Sequence, residues 1–220
     1  MSSASFRRLF LALVPLGLAA MLFTHPPGGS QIYEDVRDDV DAWLFVHAAL
    51  LLFTPLLGIA AFWLISGLKG TAATVSRVAL VFFLVFYTAY EVTVGLGTGV
   101  LVEYANGLPP AEQDAVAGAI QELNGNAILA DPSISLALGF LGWVVAMLAA
   151  AVAFRRSGAG WGVTLLVGFS ALFAIHPPPI GPLGLVCFVV ASVLIERRKA
   201  RAERAVATTS AGLEPTGTTT

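Results

Sequence analysis

The residue in this sequence most suited to chemistry is Glu91, the single acidic or basic residue within the apolar stretch Val78–Val102. A helix of that length crosses a bilayer with some tilt to spare. A carboxyl group at mid-membrane depth is costly and normally faces the interior of a helix bundle, where it often has a function. We therefore expect Glu91 to face inward and, because burial disfavours its charged form, to be neutral for much of the time.

Polar side chains near Glu91 define a candidate intramembrane site. Helical spacing places Tyr87 and Thr88 on the Glu91 face, and the preceding apolar stretch contributes Thr54 and His47. Counting residues from the outer helix ends puts Glu91 roughly 10 Å deeper than His47, so we expect a water chain rather than direct contact between them. Two roles stay open for Glu91: a titrating group, or a protonated packing residue.

The other two histidines each precede prolines at the end of an apolar stretch. His25 is followed by two prolines and His176 by three, and both stretches start after an Arg-Arg pair. Because a residue before proline leaves the α region, each histidine is expected to end its helix, and we favour capping over a metal or proton role. The similarity also suggests a duplicated hairpin that would place His25 and His176 at equal depth.

Most catalytic and cofactor motifs are absent from the sequence. It holds no Ser-His-Asp, HExxH, P-loop or CxxC arrangement, and no closely spaced histidine pair typical of a metal site; Cys187 is the only cysteine. The glycine run 95–99 lies inside an apolar stretch, so it predicts the close approach of another helix backbone at Gly95 and Gly99 rather than a dinucleotide loop. We predict no catalytic residue, no metal and no cofactor.

The composition is that of a membrane protein. Apolar residues make up 57% of the chain and charged residues 12%, whereas soluble domains have about 25% charged residues. The sequence thus predicts an all-α bundle in a single domain, residues 1–204, with six transmembrane helices. Their approximate spans are 9–24, 42–68, 78–102, 132–154, 161–175 and 180–195.

Charge segregation predicts the orientation of this bundle. Of the 12 Lys and Arg, all but Arg37 fall in segments on one side, and the outer segments Gly28–Asp41 and Glu103–Asp131 hold ten of the 14 acids. The positive-inside rule then places both termini in the cytoplasm, with outer loops at 26–41 and 103–131. Two points stay open: residues 9–20 also fit a signal peptide, and the stretches within 161–195 are short for full crossing.

The loops and the tail carry weaker signals. Ile32, Val36 and Val40 recur every four residues and predict a short outer helix. Pro109-Pro110 and Asn124-Gly125 bracket a second helix, which we expect to lie on the outer leaflet rather than to cover a site. Residues 205–220 are predicted to be a disordered cytoplasmic tail, and 197–204 to anchor the chain on anionic lipid.

Three functions are compatible with these features. The first is a membrane interaction or regulatory component of no evident catalytic function. The second is a proton- or cation-linked carrier of a small solute, with Glu91 as the titrating group and the outer-face histidines at its entrance. The third is a redox protein that holds haem or quinone; haem held by two histidines would use His25 and His176. The general appearance resembles that of small polytopic proteins of bacterial plasma membranes. Expected partners are the lipid bilayer and other membrane proteins or a second copy, but no nucleic acid.

Overall fold

All regular structure in the computed structural model is helical, within the residues it describes: 3–26, 29–128 and 133–211. The helices are α1 (Ser3–Leu22), α2 (Ile32–Val36), α3 (Val40–Leu64), α4 (Thr71–Asn106), α5 (Pro110–Gly125), α6 (Ile134–Arg156), α7 (Trp161–Phe169) and α8 (Ile180–Ala211). A 3₁₀ segment, Ser170–Ala174, continues α7.

Five of these helices are long and apolar enough to cross a membrane, namely α1, α3, α4, α6 and α8. The chain is therefore a multi-pass, all-helical protein of the membrane type, as its composition predicted. The sixth apolar stretch, Trp161–Ala174, is also helical but shorter. At about 1.5 Å per residue its 14 residues span roughly 21 Å, which is less than the hydrocarbon thickness of about 30 Å.

Helix α4 extends beyond the predicted span at both ends. It is 36 residues long, and its first turns lie beside the α3–α4 loop, where the Arg77 guanidinium donates to the Leu68 carbonyl at 2.7 Å. Its last turns pack with α2 and α5 in a separate cluster that includes Val102, Ala105 and Ile120. Two π-helical segments, Phe83–Tyr87 and Glu91–Leu96, interrupt its middle.

Two glycines of α6 bring this helix against the backbone of α4. A Cβ at Gly142 would lie 2.6 Å from the Phe83 nitrogen, and one at Gly139 would lie 2.8 Å from the Tyr87 nitrogen. The prediction that Gly95 and Gly99 of α4 admit another backbone was wrong. Side chains of α3, including His47 and Leu44, occupy the space beside them instead.

Basic side chains gather at one end of the bundle. Arg7 of α1 forms an ion pair of 3.1 Å with Glu196 of α8 and donates to the Trp63 carbonyl at the end of α3. The Arg155 guanidinium lies over the ring of Trp161, so α7 also begins at this end. The 3₁₀ segment after α7 leads to His176, which contacts His25 at the opposite end of the bundle. We call this opposite end the acidic end, because it carries the acid-rich segments 29–41 and 103–128.

The C-terminal helix is longer than the sequence predicted. It continues to Ala211, whereas residues from 205 onward were expected to be disordered, and positions 212–220 lie outside the described residues. Extending an existing helix adds one hydrogen bond for each residue fixed and needs no new nucleus, so α8 continues into this polar segment. The short outer helix, by contrast, was placed correctly at Ile32–Val36.

Candidate functional site

Glu91 lies inside the bundle with 1% of its surface exposed. It begins the second π-helical segment of α4, a type of irregularity that is frequent at functional sites. Tyr87, one turn earlier, is equally buried, and its hydroxyl faces the carboxyl group. Neither Glu91 carboxyl oxygen makes a hydrogen bond of standard length to any described residue. A buried polar group left in this state is costly and calls for an explanation.

The nearest basic group to this carboxyl group is His47 of α3. Its Nε2 lies 4.0 Å from Oε2 of Glu91, and 5% of the residue is exposed. The prediction that depth would keep the two residues apart was wrong, because it assumed that the outer ends of α3 and α4 lie level. The last turns of α4 instead extend into the outer layer, where Asn106 donates to the Arg37 carbonyl.

The orientation of the His47 ring is fixed by three contacts. Its Nδ1 donates to the Trp43 carbonyl at 2.9 Å, and the two rings stack with centroids 4.3 Å apart. The Trp43 indole in turn donates to the Gly95 carbonyl at 2.7 Å. Gly95 leaves room for the imidazole, since any Cβ there would collide with it. With Nδ1 donating, the neutral ring presents Nε2 to Glu91 as an acceptor.

His25 joins this group from the end of α1. Its ring centroid is 5.0 Å from that of His47, and its Nδ1 donates to the Pro26 carbonyl at 2.6 Å. This bond to Pro26 takes the place of the capping bond predicted for His25, and the Thr24 hydroxyl donates to the Met21 carbonyl instead. Capping by His176 stays a prediction. Burial lowers the pKa of His25 below its usual value, and the bond to Pro26 offsets part of that effect. Its Nε2 is buried and unpartnered within the described chain.

His176 completes a row of three imidazoles. Its ring centroid lies 5.4 Å from that of His25 and 6.3 Å from that of Tyr87. Burial, together with the neighbouring His25 and His47, lowers the pKa of His176 to about 3. The equal depth expected for His25 and His176 stays a prediction, because a ring-to-ring distance does not fix the depth of either residue in a membrane. Whether the two hairpins descend from one duplicated unit stays a prediction.

The three histidines line a cavity of about 500 Å³ at the acidic end of the bundle. The other lining residues come from the outer segments and from α3, α4 and α5: Gly29, Ser30, Ile32, Trp43, Tyr90, Val94, Gln121, Asn124, Gly125 and Pro177. Helix α5 therefore forms part of the cavity wall, and the expectation that it lies on the outer leaflet away from any site was wrong. Asn124 fixes this helix by donating to the Thr98 hydroxyl at 2.8 Å.

The two threonines of the predicted site lie to one side of Glu91. Thr54 is fully buried. Helices α3 and α4 are in a register in which Gly58 meets Leu84 and His47 meets Gly95. The same register places Thr54 opposite position 88. Thr88 itself is half-buried. The predicted group is thus only partly brought together, since His47 and the Tyr87 hydroxyl face the Glu91 carboxyl group, whereas neither threonine forms a hydrogen bond with it.

The imidazole row does not form a metal or haem site of ordinary geometry. Among residues 3–26, 29–128 and 133–211, no group of three or more His, Cys, Asp or Glu side chains is arranged to hold a metal ion. His25 and His176 contact each other at an interplanar angle of 55°. Two axial ligands of one haem iron instead stand on opposite faces of the macrocycle, which these adjacent rings do not admit.

Comparison with known proteins adds no relative. No protein-family model, no curated protein and no solved structure matches this chain. Trp43 and Gly95, which hold His47, were not among the residues the sequence suggested for the site. The spacing of Trp43 and His47, four residues apart on one helix, was the available signal.

Proposed function

We propose that this chain is a proton-linked membrane carrier of a small solute, with the Glu91–His47 pair as its proton site. One observation carries the proposal: a buried carboxyl group with no hydrogen bond of standard length lies 4.0 Å from a buried imidazole at the edge of a histidine-lined cavity. A buried acid and base at this distance can share one proton.

The proton has two places to reside in the pair. With Glu91 protonated, its O–H can donate to the acceptor Nε2 of His47 once the two atoms close from 4.0 Å to hydrogen-bond distance; transfer of the proton then gives a carboxylate and an imidazolium. Both forms are neutral overall, and the imidazolium would still donate through Nδ1 to the Trp43 carbonyl. The Glu91–His47 pair therefore carries no net charge while it holds a proton, whichever of the two side chains the proton is on.

The cavity supplies access to this pair and room for a solute. Its lining includes the exposed residues Gly29, Ser30 and Gln121, so it reaches the surface. Its volume of about 500 Å³ suits a small molecule. The unpartnered Nε2 of His25 and the side chains of Gln121 and Asn124 offer acceptors and donors that favour a polar, hydrogen-bonding solute.

A layer of aromatic side chains closes the other side of the site. Tyr87, Phe83, Trp143 and Phe173 are fully buried and contact one another at centroid distances of 4.9–6.3 Å. This layer lies between Glu91 and the basic end, since Phe83 precedes Glu91 by two turns on α4 and Trp143 packs against Phe83. In a carrier it would be the closed side of an outward-facing conformation, which must open on the opposite stroke.

A regulatory or interaction component is the second candidate, and the same aromatic layer favours it. If the layer never opens, protonation of the pair can still shift the packing of α3 against α4 and report pH to a partner membrane protein or second copy. The two candidates share the proton site and differ in whether a solute crosses.

The membrane setting belongs to the proposal as well. We place the chain in a bacterial plasma membrane with six crossings, α7 included, and with the basic end and both termini in the cytoplasm. Arg7, which pairs with Glu196, and Arg155 lie at one end of the bundle. This placement supports the orientation, because cytoplasmic loops are rich in Lys and Arg.

The test is solute-dependent proton movement in liposomes. The full chain is reconstituted around a pH-sensitive dye, and small polar solutes are added outside. Wild type should acidify or alkalinise the lumen with at least one solute, and Glu91→Gln should abolish that signal. Glu103→Gln, at an exposed acid on the same helix, is the matched control and should behave as wild type. Solute flux that persists in Glu91→Gln would contradict the proposal, whereas no flux with any solute would favour the regulatory candidate.

A further inference from the structure

The basic end of the bundle holds a second cavity, separate from the histidine cavity. It has a volume of about 300 Å³ and lies between α1 and α8. Four arginines line it: Arg8, Arg197, Arg201 and Arg204. Its remaining lining is Leu11, Ala12, Ser192, Val193, Glu196 and Ala200.

The arginines converge because of their helical spacing. Arg197, Arg201 and Arg204 follow each other at four and three residues, so they project from one face of α8 toward Arg8 of α1. The one acid in the lining, Glu196, already forms ion pairs with Arg7 at 3.1 Å and with Lys199 at 3.3 Å. Among the arginines of the lining, Arg8, Arg197 and Arg201 therefore contribute positive charge that Glu196 does not neutralise.

Ser192 gives this cavity an independent polar feature. The residue is 2% exposed, and its hydroxyl is buried without a hydrogen-bond partner among the described residues. It lies one turn before Glu196 in the cavity wall. A serine in a helix ordinarily bonds to the carbonyl four residues earlier or turns to solvent. An unsatisfied hydroxyl in the wall of an arginine-lined cavity instead fits a bound ligand with acceptor oxygens.

We propose that this cavity binds the phosphate headgroup of one anionic phospholipid. Guanidinium groups bind phosphate oxygens in pairs, and Ser192 can donate to a phosphate or ester oxygen of the same lipid. The accessible apolar part of the lining, Ala12 and Val193, lies nearer mid-membrane than the arginines and provides the surface for an acyl chain. The site joins the first and last helices of the bundle, so the lipid would hold α1 and α8 together.

The proposal goes beyond a diffuse attraction of basic residues to an anionic membrane. Diffuse attraction acts on every basic residue that lies near the membrane surface, whichever residue it is. At a specific site, by contrast, the loss of lipid binding depends on which arginine is removed. Arg156, an exposed arginine at the end of α6 and outside the cavity lining, provides the comparison.

Native mass spectrometry of the full chain in neutral detergent tests this site. Phosphatidylglycerol is added, with phosphatidylcholine as the neutral comparison, and bound lipid is counted. Wild type should retain one phosphatidylglycerol molecule in preference to phosphatidylcholine. Arg197→Gln and Arg201→Gln should each weaken binding at least tenfold, Ser192→Ala severalfold, and Arg156→Gln less than twofold. Helical content, measured by circular dichroism, should be unchanged in all four variants.

Three results would overturn the proposal. Equal loss in Arg156→Gln and Arg201→Gln would show diffuse attraction. Equal retention of phosphatidylcholine would show that the headgroup charge is not recognised. Displacement of the lipid by millimolar inorganic phosphate would show a site for a soluble anion rather than for a lipid. Because these arginines lie far from Glu91, the lipid site can fail or stand without affecting the proposed proton site.

Discussion

His47 and Glu91 lie on neighbouring antiparallel helices with Nε2 and Oε2 4.0 Å apart, and each side chain is almost completely buried. Gly95 makes this approach possible, because it is the α4 residue against which the imidazole packs. The candidate site therefore depends on a residue without a side chain as much as on the acid and the base.

The first prediction concerns that glycine. Gly95→Ala places a methyl group on the His47 ring and should lower the free energy of unfolding by about 1–3 kcal/mol. It should also abolish proton-linked activity, because the imidazole must leave Glu91. The measurement is the unfolding midpoint together with liposome proton movement. Gly97→Ala is the matched control, since its new Cβ meets no atom closer than 3.5 Å. Equal effects from both variants would contradict the assigned packing.

The second prediction concerns the contact between α4 and α6. A Cβ at Gly142 would meet the α4 backbone at Phe83, which cannot move aside as a side chain can. Gly142→Ala should therefore destabilise the bundle by about 3 kcal/mol, at the upper end of overpacking effects. Gly162→Ala in α7 has open space around it and should be neutral or stabilising. Thermal unfolding in detergent measures both, and a stable Gly142→Ala protein would show that the helices are not this close.

The third prediction concerns pH and stability. Because the pKa of His176 is lowered to about 3 in the folded chain, the unfolded chain binds a proton more readily between that value and about 6.5. Its contribution to stability is therefore complete above pH 6.5 and is lost progressively as the pH falls toward 3, by at most about 1.4 kcal/mol per pH unit. His176→Gln should flatten the decline of the unfolding midpoint between pH 6.5 and 4.5. An unchanged slope in this variant would show that His176 is not buried as a neutral ring.

The fourth prediction concerns topology. With Cys187 replaced by alanine, single cysteines at Asp35 and Asp114 should react with a membrane-impermeant maleimide added to intact cells. Cysteines at Lys69 and Ser157 should react only after the membrane is opened, because both lie at the basic end. Labelling of position 69 from outside would reverse the orientation. Protection of a cysteine at position 35 would show that the outer segment 26–41 is not accessible from outside the cell.

The sequence predicted the helical elements better than their contacts. Proline and glycine signals located α5 at Pro110–Gly125, and the pattern around Glu91 indicated its inward face. Local signals of this kind depend on residues adjacent along the chain or around one helix turn. The close approach of α6 to α4 could not be predicted in the same way, because Gly139 and Gly142 differ from other glycines only in what faces them.

The sequence placed the histidines at an outer entrance but did not predict that their rings meet, for a related reason. His25, His47 and His176 belong to three different segments, and their meeting depends on the relative depth of helix ends that no local pattern encodes. Residue counting failed because α4 extends into the outer layer and contains π-helical turns, so its outer end is not level with that of α3. A polar site built from several helices therefore required the tertiary structure.

The central claim is that Glu91 and His47 share a proton that exchanges with the outer cavity, and infrared titration of the purified full chain tests it most directly. Wild type should show the carbonyl stretch of a buried protonated carboxyl group, with an intensity that changes with pH. Glu91→Gln should remove this band, His47→Gln should move the pH at which it titrates, and Glu103→Gln should leave it unchanged. A band that survives in Glu91→Gln, or that titrates identically in His47→Gln and wild type, would contradict the shared proton.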